Sequence, residues 1–193
     1  MEKIGQLQNN HWVEFYKKNI LTQDPSDFCF FVCENYDLKN KKILDLCCGS
    51  GRDSYYLSQK CMQIVAVDKA IKIKEVGNLK SLQMDIFNFY ENSDQVYDAT
   101  YCRFGLHSVS EDIEDVILKN SREIYFEFRS DKDNSYLNDH YRRKINGNSI
   151  VKKIIDLGFE LLYYKESKNL AIYKEQNPVI IRIIAKKRRT NDG

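Results

Sequence analysis

The stretch Lys41–Ser58, KKILDLCCGSGRDSYYLS, constrains the fold more than any other part of the chain. It reads as a short apolar strand, a glycine turn and a helix start. Glycines 49 and 51 let the backbone approach a ligand closely and tolerate positive φ. The helix beginning near Arg52 turns its first amides toward the same spot, which suits a carboxylate or a phosphate, and Asp53 suits its positive end. Cys47 and Cys48 stand where a dinucleotide-binding turn usually wants a glycine. None of the six cysteines has paired metal-ligand spacing and no histidine pair completes a zinc pattern, so no metal site is expected. They read as reduced thiols of a cytoplasmic protein.

Strand-like and helix-like segments alternate along the chain. A short amphipathic helix is expected over 11–19, and a second over 26–36 with Ser26 as N-cap. The apolar runs KILDLCC, QIVAVD, LKSLQMD, QVYDATYCR and REIYFEFRS read as strands. RDSYYLSQK, SEDIEDVILKN (capped by Ser110) and NGNSIVKKIIDLG (stopped by Gly158) read as helices. FELLYYKES and PVIIRIIAKK have no helix between them, so they pair antiparallel. The expected fold is α/β: a Rossmann-like, seven-stranded, mostly parallel sheet with a C-terminal antiparallel hairpin and helices on both faces. One domain, 1–193, is expected, with a helical cap over 1–40, a lid over 130–147 and a basic tail over 186–193. The switch point lies by the first strand, and ligands bind at the carboxyl ends of the strands there.

Two acids close successive strands at that edge. Asp68, ending QIVAVD, can accept both hydroxyls of a ribose. Asp85, ending SLQMD, can accept from an exocyclic amine such as that of adenine, with Met84 and Ile86 as apolar cover. Each acid alone is also an ordinary turn or capping residue. An NAD dehydrogenase is the rival reading of the turn. Its fingerprint ends in glycine or alanine where Ser54 stands, Asp85 has no role in it, and the chain leaves no room for a substrate domain.

At these residues the sequence resembles the class I S-adenosylmethionine-dependent methyltransferases. ILDLCCGSG is similar to their first motif, and VAVD and QMD to their second and third cofactor contacts. GSGRDS, YCRFGLHS, HYRRKI and NPVIIRIIAKK resemble small bacterial enzymes of the tellurite-resistance-like and capsule or surface-polysaccharide-associated group. The resemblance implies S-adenosylmethionine as cofactor, with S-adenosylhomocysteine as product. It implies a cofactor site from Tyr16, Asp45, Cys47, Gly49, Gly51, Arg52, Asp68, Lys69, Met84, Asp85, Ile86 and Cys102. The departure is Cys47, where the family motif carries its first glycine; cysteine is small, so close approach should survive in a slightly tighter pocket. The aromatics of HWVEFYKKN either cap the cofactor, with Tyr16 near the sulfonium, or pack into the core.

The acceptor lies beyond the fourth strand. No Asn- or Asp-Pro-Pro-aromatic segment follows YDATY, which excludes the clamp of enzymes that methylate adenine or glutamine nitrogen. Cys102 as a nucleophile for pyrimidine chemistry lacks a neighbouring proline, so packing is its simpler role. Arg103, Phe104, Arg129, Tyr141, Arg142 and Arg143 are the expected acceptor-binding residues, pointing to an anionic or sugar-linked small molecule or glycan precursor. An ordinary charged loop is the alternative for DKDNSYLNDHYRRK. A hydroxyl acceptor needs a base, with His107 first and His140 second; a phosphate or phosphoramidate oxygen needs none. Detoxification of a thiol or metalloid oxyanion and, through the basic tail, RNA modification are the other readings. The net charge of +2 owes much to that tail, so the body is no nucleic-acid platform. No membrane insertion is expected, and the oligomeric state is not legible.

Overall fold

The computed structural model describes residues 11–16, 24–134, 142–172 and 175–188. Residues 11–16 are helical (α1). Then follow α2 (Asp27–Asn35), β1 (Lys42–Leu46), α3 (Arg52–Ser58), β2 (Gln63–Asp68), β3 (Leu79–Gln83), α4 (Ile86–Asn92), β4 (Ala99–Arg103), a 3-10 turn (Leu106–Ser108), α5 (Glu111–Asn120), β5 (Glu123–Arg129), α6 (Gly147–Asp156), β6 (Phe159–Ser167) and β7 (Ile180–Lys187).

The seven strands form one sheet in the order β3-β2-β1-β4-β5-β7-β6. β3, β2, β1, β4 and β5 run parallel. β7 inserts between β5 and β6, antiparallel to both. The expected hairpin is therefore present, with its second strand returning to β5. The strand order reverses between β1 and β4, which puts the switch point where the sequence placed it.

Both faces of the sheet are covered, which is why its central strands are continuously apolar. On one face Phe28, Cys29 and Val32 of α2 and Leu57 of α3 pack over Ile43, Ile64, Tyr101 and Tyr125. On the other, Ile86 and Phe89 of α4, Ile117 and Leu118 of α5, and Ile150 and Ile154 of α6 pack over Leu44, Val65, Cys102 and Phe126. The helix starts obey capping chemistry. The Ser26, Ser110 and Asn146 side chains accept backbone N–H bonds from their first turns. Gly158, at φ +83°, lies just past the end of α6 as expected.

The structure adds three details to the expected element order. α4 was not anticipated: Asp85 caps it, accepting from Phe87 N–H at 2.9 Å, so IFNFYEN is helix where no element was assigned. β2 and β3 are joined by the non-helical segment 69–78, a crossover without its usual helix. Lys186 and Lys187, which the sequence put both in the last strand and at the start of the basic run, are the last residues of β7, and Lys187 Nζ donates to the Lys119 carbonyl at 2.7 Å. No helix among the described residues is long and apolar enough to cross a membrane.

Candidate functional site

The turn between β1 and α3 is held by the end of β2. Asp68 accepts from Gly49 N–H at 3.0 Å with one carboxylate oxygen and from Ala70 N–H at 2.8 Å with the other. The turn and the strand-end acid thus form one unit, at the place where a ribose would meet its glycine cradle. Burial raises the Asp68 carboxyl above its ordinary value, and the two amides pull the other way. Gly49 has φ +56°, and a Cβ there would lie 2.6 Å from the Tyr16 hydroxyl. Tyr16 of α1 therefore lies directly against the glycine turn. Burial, then Asp68 and the neighbouring thiols, push its hydroxyl upward, so it stays a neutral hydrogen-bonding group. These features fit S-adenosylmethionine: a backbone cradle, a strand-end carboxylate and an aromatic lid from α1.

Asp45, buried, accepts from Ser54 Oγ at 2.5 Å and so links the strand to the helix across the turn. Cys47 takes the left-handed conformation, φ +57°, that a glycine would adopt without strain. Its thiol is raised by its hydrogen bond with Cys102 and then by burial, and the Cys48 thiol is raised by burial. Both are protonated thiols rather than nucleophiles. All six cysteines are free, and no metal-ligand cluster is present among the described residues. A Cβ on Gly105 would lie 2.6 Å from Cys102 Sγ and 2.7 Å from Cys47 Sγ, so these three residues interlock where β1 and β4 diverge.

The adenine-side residues are less uniform. Asp85 caps α4 with one oxygen, and Lys69 Nζ lies 3.4 Å from the other. Met84 lies half-buried against the core, whereas Ile86 is a core residue under α4. Arg52, partly exposed, lies 3.8 Å from Asp53. Asp53 itself joins three elements: it accepts from Ser26 N–H at 2.7 Å, Ser26 Oγ at 2.8 Å and Tyr101 Oη at 2.8 Å. The sequence suggested only a helix-end acid here.

Among the residues expected to bind the acceptor, Arg103 donates from Nε to Glu127 Oε1 at 2.8 Å, and its guanidinium lies over the Phe104 ring, 4.4 Å from the centroid. Phe104, with φ +57°, packs on Leu170, Ala171 and Ile180. His107 is buried, and its Nδ1 accepts Arg129 N–H at 3.3 Å. That bond puts the neutral ring's proton on Nε2, a donor, which opposes the expected role of base at that atom. Arg129 is committed to Asp133 at 2.7 Å and Gln176 at 3.0 Å. Arg143 is committed to Glu114 at 2.5 Å and to the Val109 carbonyl at 2.7 Å, and its N–H donates to the His107 carbonyl at 2.7 Å. It therefore pins the loop to the 3-10 turn and α5, which answers its charge without an acceptor. Arg142 is half-buried beside it. His140 and Tyr141 lie outside the described residues. Sequence reasoning missed Glu127 and Arg182; the signal was a charge flanked by apolar residues inside each of two strands, EIYFEFR and IIRIIAKK.

The family model for "Tellurite resistance protein TehB" matches residues 13–125, more than half of the chain. The chain belongs to the TehB family. The expected class, S-adenosylmethionine-dependent methyltransferase, is that of the family and of its structural neighbours. A Burkholderia thailandensis 1,6-didemethyltoxoflavin-N1-methyltransferase, solved with its substrate and S-adenosylhomocysteine, superposes with TM-score 0.72 at 12% identity, covering 97% of this chain and 90% of that one. DhpI in complex with SAH gives 0.65 at 13%, covering 98% and 100%. TehB from Haemophilus influenzae gives 0.64 at 17%, covering 94% and 67%. At these identities the likeness is one of fold. No curated protein matches the chain.

Proposed function

We propose that this TehB-family chain transfers the methyl group of S-adenosylmethionine to a small oxyanionic acceptor bound at the carboxyl ends of β4 and β5 and the adjoining amino end of β7. The bound cofactor supplies a sulfonium-activated methyl group open to in-line attack. Asp68 receives the ribose hydroxyls, the Gly49–Gly51 turn admits the methionine portion, Asp85 and Lys69 border the adenine, and Tyr16 closes the cleft. The observation that carries the acceptor class is Arg103, a guanidinium fixed by its Nε to Glu127. A fixed planar cation recognises a planar or tetrahedral oxyanion.

The His107 hydrogen bond supports an acceptor that is already ionised over a neutral sugar hydroxyl. An anionic oxygen needs orientation and exclusion of water but no base. Phosphate or phosphoramidate O-methylation of a capsule or surface-polysaccharide precursor is the reading that the sequence resemblance favours. The family match favours a second acceptor of the same charge, a metalloid oxyanion. S-adenosylhomocysteine release, measured with a phosphoramidate, a sugar phosphate, the matching neutral sugar and tellurite, separates them. Turnover of the neutral sugar alone would sink the oxyanion reading.

A further inference from the structure

Three charged side chains stand in one row across the acceptor end of the sheet. The strand register pairs Arg103 with Glu127, and Glu127 with Arg182. Glu127 is fully buried and divides its two oxygens: Oε1 takes Arg103 Nε at 2.8 Å and Oε2 takes Arg182 Nε at 2.6 Å. Arg182 is further committed to the Leu170 carbonyl at 2.7 Å and lies over the rings of Phe28 and Phe31, at 5.3 and 5.7 Å. It is buried. Arg103 differs. Its Nε bond to Glu127 is its only hydrogen bond among the described residues, and its side chain keeps 20% of its surface. The outer edge of its guanidinium therefore keeps donors to offer.

The charges do not balance. One carboxylate faces two guanidiniums. The next acid, Asp53, already accepts three hydrogen bonds and has Arg52 at 3.8 Å. Counting those two as well leaves the row with one surplus positive charge. A buried surplus charge is costly unless a counterion arrives.

We propose that Glu127 and Arg182 are positioning and specificity-determining residues for the acceptor. Glu127 locks the Arg103 fork, and Arg182, without touching the ligand, supplies the surplus charge that makes the site select an oxyanion. This rests on the methyltransferase reading above. Burial opposes charge on Arg103, but Glu127, Tyr101 and Asp53 together outweigh it and hold the guanidinium above its ordinary value. The fork is therefore permanently cationic, and the site's selectivity comes from charge count and not from titration.

The test uses the full chain and methylphosphonate as probe. Affinity for S-adenosylhomocysteine is first measured by calorimetry, then methylphosphonate is titrated into the loaded protein by phosphorus NMR. In wild type the anion binds and uncharged dimethyl methylphosphonate does not. Arg103→Gln weakens anion binding by about tenfold or more, the loss expected for a charge-assisted hydrogen bond. Arg182→Met weakens it about fivefold, and Arg182→Lys restores it, because charge and not shape is what Arg182 contributes. In all three variants S-adenosylhomocysteine affinity stays within about twofold of wild type, which reports an intact fold. Equal anion binding by Arg182→Met and Arg182→Lys overturns the inference, as does anion binding that survives Arg103→Gln. If wild type fails to bind S-adenosylhomocysteine, the methyltransferase reading falls and takes this inference with it. A wild type that binds the cofactor product and ignores methylphosphonate overturns the inference alone.

Discussion

The two halves of the proposed site are built differently. On the cofactor side, the ends of β1, β2 and β3 present a glycine turn and two strand-end acids. Each part lies in a short contiguous motif, and the key contact joins backbone to carboxylate, Gly49 N–H to Asp68. On the acceptor side, the ends of β4, β5 and β7 present a row of side chains, Arg103, Glu127 and Arg182. These come from three strands, and they meet because β4 pairs with β5 and β7 inserts beside β5. A backbone cradle accepts one cofactor and tolerates little change. A side-chain row can be re-specified by one substitution. In the proposed reading, the general part of the reaction rests on the local motif, and the particular part on sheet order.

The sharpest way to break this contrast is Glu127→Gln. It leaves two guanidiniums sharing a neutral amide, so stability should fall by about 3–5 kcal/mol, the cost of breaking a buried ion pair on one side. Chemical denaturation measures it. A loss below about 1 kcal/mol would mean that the row is solvated and not part of the core.

Asp68→Asn comes next, and acts on cofactor affinity rather than on the acceptor. It removes a charged acceptor of ribose hydroxyls and weakens the brace on Gly49, costing about 2–3 kcal/mol, or about 30- to 150-fold in affinity. The same carboxyl gives a pH signature. Burial raises its folded value, so protonation begins at a higher pH than for an ordinary carboxylate. Cofactor binding, which needs the ionised form, should be intact near about pH 8 and weaken as pH falls toward about 5. Calorimetry across that range checks it, and Asp68→Asn should flatten the profile. A wild-type profile as flat as the variant's removes the role of Asp68.

These two substitutions also mark what was legible in the sequence. The β-α-β alternation, the switch point, the helix caps at Ser26 and Ser110 and the turn with Asp68 could all be read, because each is encoded within a few residues. α4 was missed because its only start signal, Asp85, had been given to the cofactor. The acceptor side was half legible. Arg103 was picked out by position, but its partners depend on register, which periodicity does not contain. For the same reason Arg129 and Arg143 looked available in the sequence: Asp133, Gln176 and Glu114 become their partners only once the chain is folded.

Gly49→Ala sharpens the cofactor half on a smaller scale. The left-handed backbone costs a Cβ about 1–2 kcal/mol, and the added methyl meets the Tyr16 hydroxyl. Affinity for S-adenosylmethionine should fall, and Tyr16→Phe in the same background should recover only the part due to that contact. Complete recovery would show that the turn itself bears no strain.

The smallest effect lies at the seam between the halves. Cys47 follows β1 directly, with φ +57°, and its sulfur interlocks with Cys102 beside Gly105. Two terms oppose each other there. Glycine at 47 relieves roughly 1 kcal/mol of left-handed strain. It also loses the buried sulfur contact and gains about 0.4–1 kcal/mol of unfolded-state entropy. Cys47→Gly should therefore change stability by less than about 1 kcal/mol. Cys47→Ala also loses the sulfur but keeps the strain, so the two variants differ mainly in backbone terms. Denaturation of both compares those terms: a glycine variant clearly less stable than the alanine one would mean that the unfolded-state entropy of glycine outweighs the left-handed strain it relieves. Cofactor affinity should survive in both, because the amide that Asp68 holds belongs to Gly49 and not to Cys47.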